Sequence, residues 1–329
     1  MITNIRRRSV WWGMAVASLL LVACGGGDDD PAPVTPPAPS VSLEGAVDRP
    51  AALTLTQLQA LAPTTQTVNF SSGSGAQTHT YTGTSLWGVL DQAGIQVDAT
   101  RKNDVLNKYV LATGSDGYKA VFSLGEIKPD FGNRASLVAY AESASGVSAP
   151  LTTDGPFRVT SPGDVKGGRY VSNLVKLQVR SSGSAVASTG GGVSTQFSVS
   201  GAVQRPGTYD LAALQALPLV TQTVGTGVYG GVSLWSFLNT TVGLVTNPAV
   251  KNDSLGMYVV ATGSDGYKAV ISLGEIDPGF GNQADLVAYQ LDGAALTTNG
   301  FARLVVPSDV KAGRFVSNLI SLEVFTAAP

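Results

Sequence analysis

The residues of this chain best suited to holding a ligand come in two sets with the same spacing. Ser115, Asp116 and Tyr118 recur as Ser264, Asp265 and Tyr267. Asp-Gly inside each set suits a tight hairpin turn, and three polar groups on one turn can converge on a solute. Lys166, Gly167, Gly168 and Arg169 recur as Lys311, Ala312, Gly313 and Arg314. A Gly-rich bend beside two cations offers backbone N–H groups and positive charge to an anion. Both sets are candidate ligand-binding residues. The competing readings are turn chemistry alone for the first set, and a solvated loop with a structural salt bridge for the second.

Catalytic constellations are scarce. The chain has one histidine, His79, in a Ser/Gly-rich stretch that reads as an exposed loop. One histidine excludes a His-based metal cluster and permits at most one Ser-His-Asp arrangement. No Gly-x-Ser-x-Gly elbow and no phosphate loop of the Walker type occurs. Glu126 with Asp130, and Glu275 with Asp277, are carboxylate pairs that read as exposed loops. Trp87 and Trp235 read as core residues beneath a short helix, with sugar stacking as the rarer alternative. No catalytic residue and no metal ligand is assigned.

The N-terminus sets the expected compartment. Arg6, Arg7 and Arg8 precede an apolar run from Val10 to Val22, shorter than the about 20 residues of a permanent span. Its length and flanks fit a signal segment at 1–23. The run ends Leu21-Val22-Ala23-Cys24, which resembles the lipobox of bacterial lipoproteins, where the cysteine is diacylated and the chain is cut before it. Cys24 is the only cysteine and the expected lipidation site. The stretch 24–40 is Gly-, Asp- and Pro-rich and reads as a tether, with Asp28 to Asp30 a solvated spacer rather than a metal cluster. The resemblance implies a lipid-anchored protein on the periplasmic side of the envelope. Gly25, in place of Asp, favours the outer membrane over the inner. Arg7-Arg8-Ser9-Val10-Trp11 partly resembles the twin-arginine export signal, but Arg6 stands where Ser or Thr is usual.

Beyond the tether the sequence repeats at an offset near 150 residues. Gly45 to Pro50 returns as Gly201 to Pro206, and Ser85-Leu86-Trp87 as Ser233-Leu234-Trp235. Ala112 to Val121 returns unchanged as Ala261 to Val270, Leu137 to Tyr140 as Leu286 to Tyr289, and Val171 to Leu174 as Val316 to Leu319. An ordered repeat of this length predicts two copies of one domain, at 41–182 and 195–329, joined by a Ser/Gly linker at 183–194. The first copy holds twelve Lys/Arg against eleven Asp/Glu and the second six against nine, giving net charges of +1 and −3. Neither is a basic footprint, so nucleic acid is not an expected partner.

Periodicity predicts strands at Val41 to Val47 and Phe197 to Val203. Short amphipathic helices are expected at Leu55 to Leu61 and Leu211 to Leu217, and again at Leu86 to Ala93 and Leu234 to Leu238. Tyr109 to Thr113 and Tyr118 to Ser123 should form a hairpin, as should Tyr258 to Thr262 and Tyr267 to Ser272. Strands follow at Leu137 to Tyr140, Phe157 to Thr160 and Leu174 to Val179. The expected class is α+β, with strands dominant.

The order of these motifs resembles the oxidoreductase molybdopterin-binding domain family of the sulfite oxidase type. The carriers are Gly201 to Pro206, Ala213 to Pro218, Gly231-Val232-Ser233-Leu234 with the looser Gly83-Thr84-Ser85-Leu86, Gly155-Pro156-Phe157-Arg158, and Arg303 to Pro307. The resemblance implies two tandem domains of that fold, a pterin-phosphate approach near Lys166 to Arg169, and molybdopterin as the cofactor to test. It also implies a molybdenum-ligating cysteine within Thr64 to Tyr81 or Val220 to Tyr229, and neither stretch holds one. A Thr hydroxyl does not replace a soft thiolate ligand. The leading expectation is thus an anchored, non-catalytic protein binding a small anion, a pterin-type cofactor or an envelope protein. A molybdopterin-dependent oxidoreductase with an atypical metal site is the second reading, and a structural or adhesive envelope protein the third.

Overall fold

A computed structural model describes residues 38–327. The expected signal segment, Cys24 and nearly all of the expected tether lie outside the described residues. From Ala38 onward the chain forms one compact unit.

The architecture is mostly β, which corrects the α+β expectation. Among the described residues the longest α-helix is Leu86–Ala93, of 8 residues, whereas twenty strands build four sheets. The physical reason lies in the sequence. Helical spacing of apolar residues persists for one or two turns and then meets Gly94 or Pro63, while Val and Thr fill the stretches between and favour pleated surfaces.

One five-stranded sheet takes the order Ala51–Thr54, Ser40–Gly45, Leu174–Ser181, Lys108–Gly114, Lys119–Ser123. Ser40–Gly45 runs parallel to Leu174–Ser181 and the other pairs are antiparallel. The second half forms a sheet of corresponding order from Gly207–Asp210, Gln196–Gly201, Leu319–Thr326, Met257–Gly263 and Lys268–Ser272. A further sheet in each half was not foreseen. In the first half it joins Pro63–Ser72, Gly75–Ser85, Leu137–Ala144 and Val147–Pro150, with Arg158–Val159 beside Leu137–Ala144. In the second it joins Val220–Val224, Gly227–Ser233, Leu286–Leu291 and Ala294–Ala295, with Arg303–Val305.

Local chemistry starts each helix. Thr54 and Gln57 form a capping box at Leu55–Gln59, and Asp210 caps Leu211–Gln215. Ser85 Oγ accepts from Gly88 N, and Leu86, Val89, Leu90 and Ala93 turn one face of Leu86–Ala93 into the core. The helix expected at Leu234 to Leu238 is only Leu234–Ser236, and a π-helical segment Phe237–Gly243 continues it.

Each half has its own apolar cluster. A third cluster is shared between them. Tyr109, Leu111 and Val121 of the first half pack with Tyr258, Val260 and Val270 of the second. Val110 and Ala112, the alternate residues of the same strand, face the first half's own core. Lys108–Gly114 is therefore covered on both faces, like Met257–Gly263.

Candidate functional site

A cleft of about 670 Å³ opens beside the turn after Lys108–Gly114. Small-molecule sites span about 300–1,000 Å³. Four sequence candidates line it: Ser115, Asp116, Tyr118 and Lys166. Phe70, Arg158 and Tyr170 join them from the first half, and Lys251, Asn252 and Phe280 from the second.

Most of the turn is committed to its own structure. Gly117 sits at φ +83°, a conformation that favours glycine. Asp116 Oδ1 accepts from Tyr118 N at 2.9 Å. The Tyr118 hydroxyl donates to Gly168 O at 2.7 Å and accepts from Asn252 Nδ2 at 3.0 Å. Burial raises the Tyr118 phenol above its ordinary value, against the opposing Asn252 bond. This clamp draws Lys251, the residue before Asn252, to the cleft.

The bend at Lys166 to Gly168 supplies the walls. A Cβ on Gly167 would fall 2.6 Å from the Phe70 ring, and one on Gly168 2.3 Å from the Phe280 ring. The two glycines let one aromatic ring from each half lie directly against backbone. The bend is thus closely packed on both sides.

Arg158 lies deeper. It is 6% exposed, and Tyr170 beside it is 4% exposed. Arg158 Nη1 donates to the Tyr81 hydroxyl at 2.7 Å and pairs with Asp154. Its guanidinium stands 5.3 Å from the Tyr81 ring centroid and 5.5 Å from that of Tyr170. Burial pushes the Tyr81 phenol up to about 12, with the Arg158 charge opposing. Burial also raises Tyr170, with Asp164 next in effect. Arg158 Nε and the Tyr170 hydroxyl have no hydrogen-bond partner. Buried polar groups are nearly always paired, so two orphans on one cleft wall are an informative exception.

His79 is a strand residue, which corrects the exposed-loop reading. It lies on Gly75–Ser85, stacked between Phe70 and Tyr81 with ring centroids 5.4 Å from each. Its Nδ1 meets Glu142 Oε1 at 2.6 Å.

The second-half candidates do not assemble an equivalent site. Asp265 and Tyr267 border a smaller pocket of about 220 Å³ with Arg101, Lys102 and Lys268. The linker lies over Ser264: Ser188 Oγ and the backbone N of Thr189 and Gly191 all donate to Ser264 O, at 2.8–3.0 Å. Lys311 is exposed and reaches Asp130 Oδ1 at 2.9 Å. Hydrogen bonds from Lys128 and Lys311 hold the Asp130 carboxyl down to about 2.

Arg169 and Arg314 are fully buried between the halves. Arg169 donates through Nε and Nη2 to Asp164 and through Nη1 to Glu126. Arg314 spends its Nε and Nη2 on Asp309 and its Nη1 on Glu275. Burial opposes each charge, but the paired carboxylates outweigh it and raise both guanidinium pKa values. Glu126 and Glu275 are likewise buried, each on a four-residue helix capped by Ser123 or Ser272. The exposed-loop reading of these two carboxylates is corrected: they are the counter-ions of the two arginines.

No protein-family model matches the chain, and no curated protein matches it. Among solved structures the chain is similar to the sulfane dehydrogenase SoxCD from Paracoccus pantotrophus. The identity is 12% and the TM-score 0.36, over 85% of this chain and 77% of that one. The residues on hand do not fit a molybdenum-bearing pterin. The stretches expected to carry the thiolate are strands of Thr, Asn, Ser and Val, and Cys24 is the sole cysteine. The two arginines expected near the phosphate are paired with buried carboxylates. No group of three or more candidate metal ligands occurs among the described residues.

Sequence reasoning missed Arg158, Tyr170, Phe70 and Lys251. Arg158 carried a signal: it is a lone cation between Phe157 and Val159 in an apolar strand, where a charge requires partners. Lys251 carried none, because its place depends on packing between the halves.

Proposed function

We propose that this chain is an envelope protein, anchored through Cys24, that binds a small organic anion in the first-half cleft. The observation that carries the reading is Arg158: a buried guanidinium on the cleft wall with an unpartnered Nε, beside an unpartnered tyrosine hydroxyl. An anionic oxygen seated against this wall would be the missing partner of these donors, and charge-assisted hydrogen bonds to Arg are stronger than neutral ones. The charged lining favours the same sign of ligand, with Arg158, Lys166 and Lys251 against Asp116 alone. The aromatic walls select an organic body over an inorganic ion. Binding is the proposed activity, with no turnover assigned.

Calorimetric titration of the full chain with benzoate, and with sulfate for comparison, tests this. Benzoate is expected to bind saturably with one site per chain, more weakly as salt rises. Arg158→Gln should abolish that binding while the circular dichroism spectrum stays that of the folded protein. No saturable binding of either anion to folded wild-type protein would overturn the reading, as would an unchanged affinity in Arg158→Gln.

A further inference from the structure

We infer that the ligand of this cleft carries two anionic groups, held at one end by Arg158 and at the other by Lys251. The inference rests on the anion-binding reading above and adds the second charge and the half of the chain that supplies it.

The cleft has cationic groups at two depths. Arg158 is buried in the wall, where Tyr170 also presents an unpartnered donor. Lys251 is exposed at the rim. Lys251 makes no hydrogen bond or ion pair with the described residues, whereas Lys166 lies near Asp277 of the second half and lowers that carboxyl against the effect of burial. Lys251 is thus the less committed of the two rim lysines. A single carboxylate on Arg158 would leave it facing solvent.

Lys251 comes from the second half, and a contact with the first half sets its place. Asn252, at φ 53°, donates to the Tyr118 hydroxyl, and that hydroxyl bonds Gly168 O. The reciprocal loop of the first half, Lys102-Asn103, makes the matching contact to Tyr267. There the surroundings differ. The residue corresponding to Tyr170 is Phe315, without a hydroxyl. The residue corresponding to Asp154, the partner of Arg158, is Asn299, and the linker covers Ser264. Only the first-half cleft therefore combines a buried arginine, a free phenol and a rim lysine from the opposite half. The same cleft is lined by Phe70 and Phe280, packed on the two glycines, apolar surface that suits the body of a small dicarboxylate or an equivalent organic dianion.

The test compares α,ω-dicarboxylates with monocarboxylates of equal chain length, titrated into the full chain at low salt. One length of dicarboxylate should bind about fivefold tighter than its monocarboxylate, the scale of one exposed ion pair. Lys251→Ala should erase that advantage, weakening the dicarboxylate about fivefold more than the monocarboxylate. Equal affinities at every length, or an advantage that survives Lys251→Ala, would overturn the two-headed ligand while leaving the anion site standing. Binding of neither series would instead sink the anion reading itself.

Discussion

Ser123 Oγ donates to Glu275 Oε2 across the boundary between the halves, at 3.3 Å. The reciprocal bond runs from Ser272 Oγ to Glu126 Oε2 at 3.2 Å. Each serine also accepts the backbone N of the glutamate in its own half, at 3.0 and 3.2 Å. A helix cap in one half is thereby wired to the ion pair of the other. Gly125 and Gly274 make room for this: a Cβ would fall 2.4 Å from Arg314 Cδ and 2.6 Å from Arg169 Cδ.

The ion pairs at this boundary should be costly to break. Arg314→Met leaves Glu275 and Asp309 buried without their cation. Removing one partner of a buried pair costs about 3–5 kcal/mol. The urea midpoint should fall accordingly, with Arg169→Met similar. A shift within error for both variants would mean the network contributes nothing to holding the halves.

The boundaries 41–182 and 195–329 remain our proposal for the repeating units, but we predict that neither half is well behaved alone. Tyr109, Leu111 and Val121 would be exposed in one, and Tyr258, Val260 and Val270 in the other. Large exposed apolar patches drive association. Separately expressed halves should aggregate or self-associate, and co-expressed halves should purify together. Two monomeric, cooperatively melting halves that ignore each other would contradict this.

How much of this was legible depended on whether the controlling contact was local. Leu86–Ala93 is read from Leu86, Val89, Leu90 and Ala93, whose spacing is visible in the chain. The Ser115 to Tyr118 turn is read from Asp116-Gly117 for the same reason. Pro63–Ser72 and Gly75–Ser85 were missed because Ser, Gly and Thr dominate them. Their pairing is completed by cross-strand bonds such as Thr65 to Thr82 and Thr67 to Thr80, both at 2.9 Å. Glu126 was misread because nothing near it in sequence shows that Arg169 meets it at the boundary. In the basic bend at Lys166 to Arg169, adjacent residues part company: Arg169 lies in the buried ion-pair network and Lys166 on the cleft.

The linker should be held down by Lys268. Its Nζ donates to Ser184 O at 3.3 Å and Val186 O at 2.6 Å. Burial lowers the Lys268 pKa, with Arg101 adding to the effect. Lys268→Ala removes both bonds without touching the first-half cleft. Limited proteolysis should then cut within 183–194 faster than in wild type, at unchanged benzoate affinity. Equal cleavage rates would show that the bonds to Ser264 O suffice.

Stability should fall as pH rises, because of two buried carboxylates. Asp285 is 1% exposed, and neither of its oxygens has a hydrogen-bond partner. Burial raises its pKa well above the ordinary value, and the Glu275 charge raises it further. Burial likewise raises Glu275, to about 7, against the pull of Arg314. In the unfolded chain both ionise near the ordinary carboxylate value. Between that value and the folded one, the folded state binds more protons than the unfolded state. Stability from these groups is then present at low pH and is lost as pH rises through about 7 and beyond for Asp285. The first half has Ser136 where the second has Asp285, so Asp285→Ser is a substitution the fold already accommodates. It should raise the melting temperature at pH 8 more than at pH 5 and flatten the profile between them. A gain that is equal at both pH values, or larger at pH 5, would show that Asp285 stays ionised in the folded protein and that its charge is compensated.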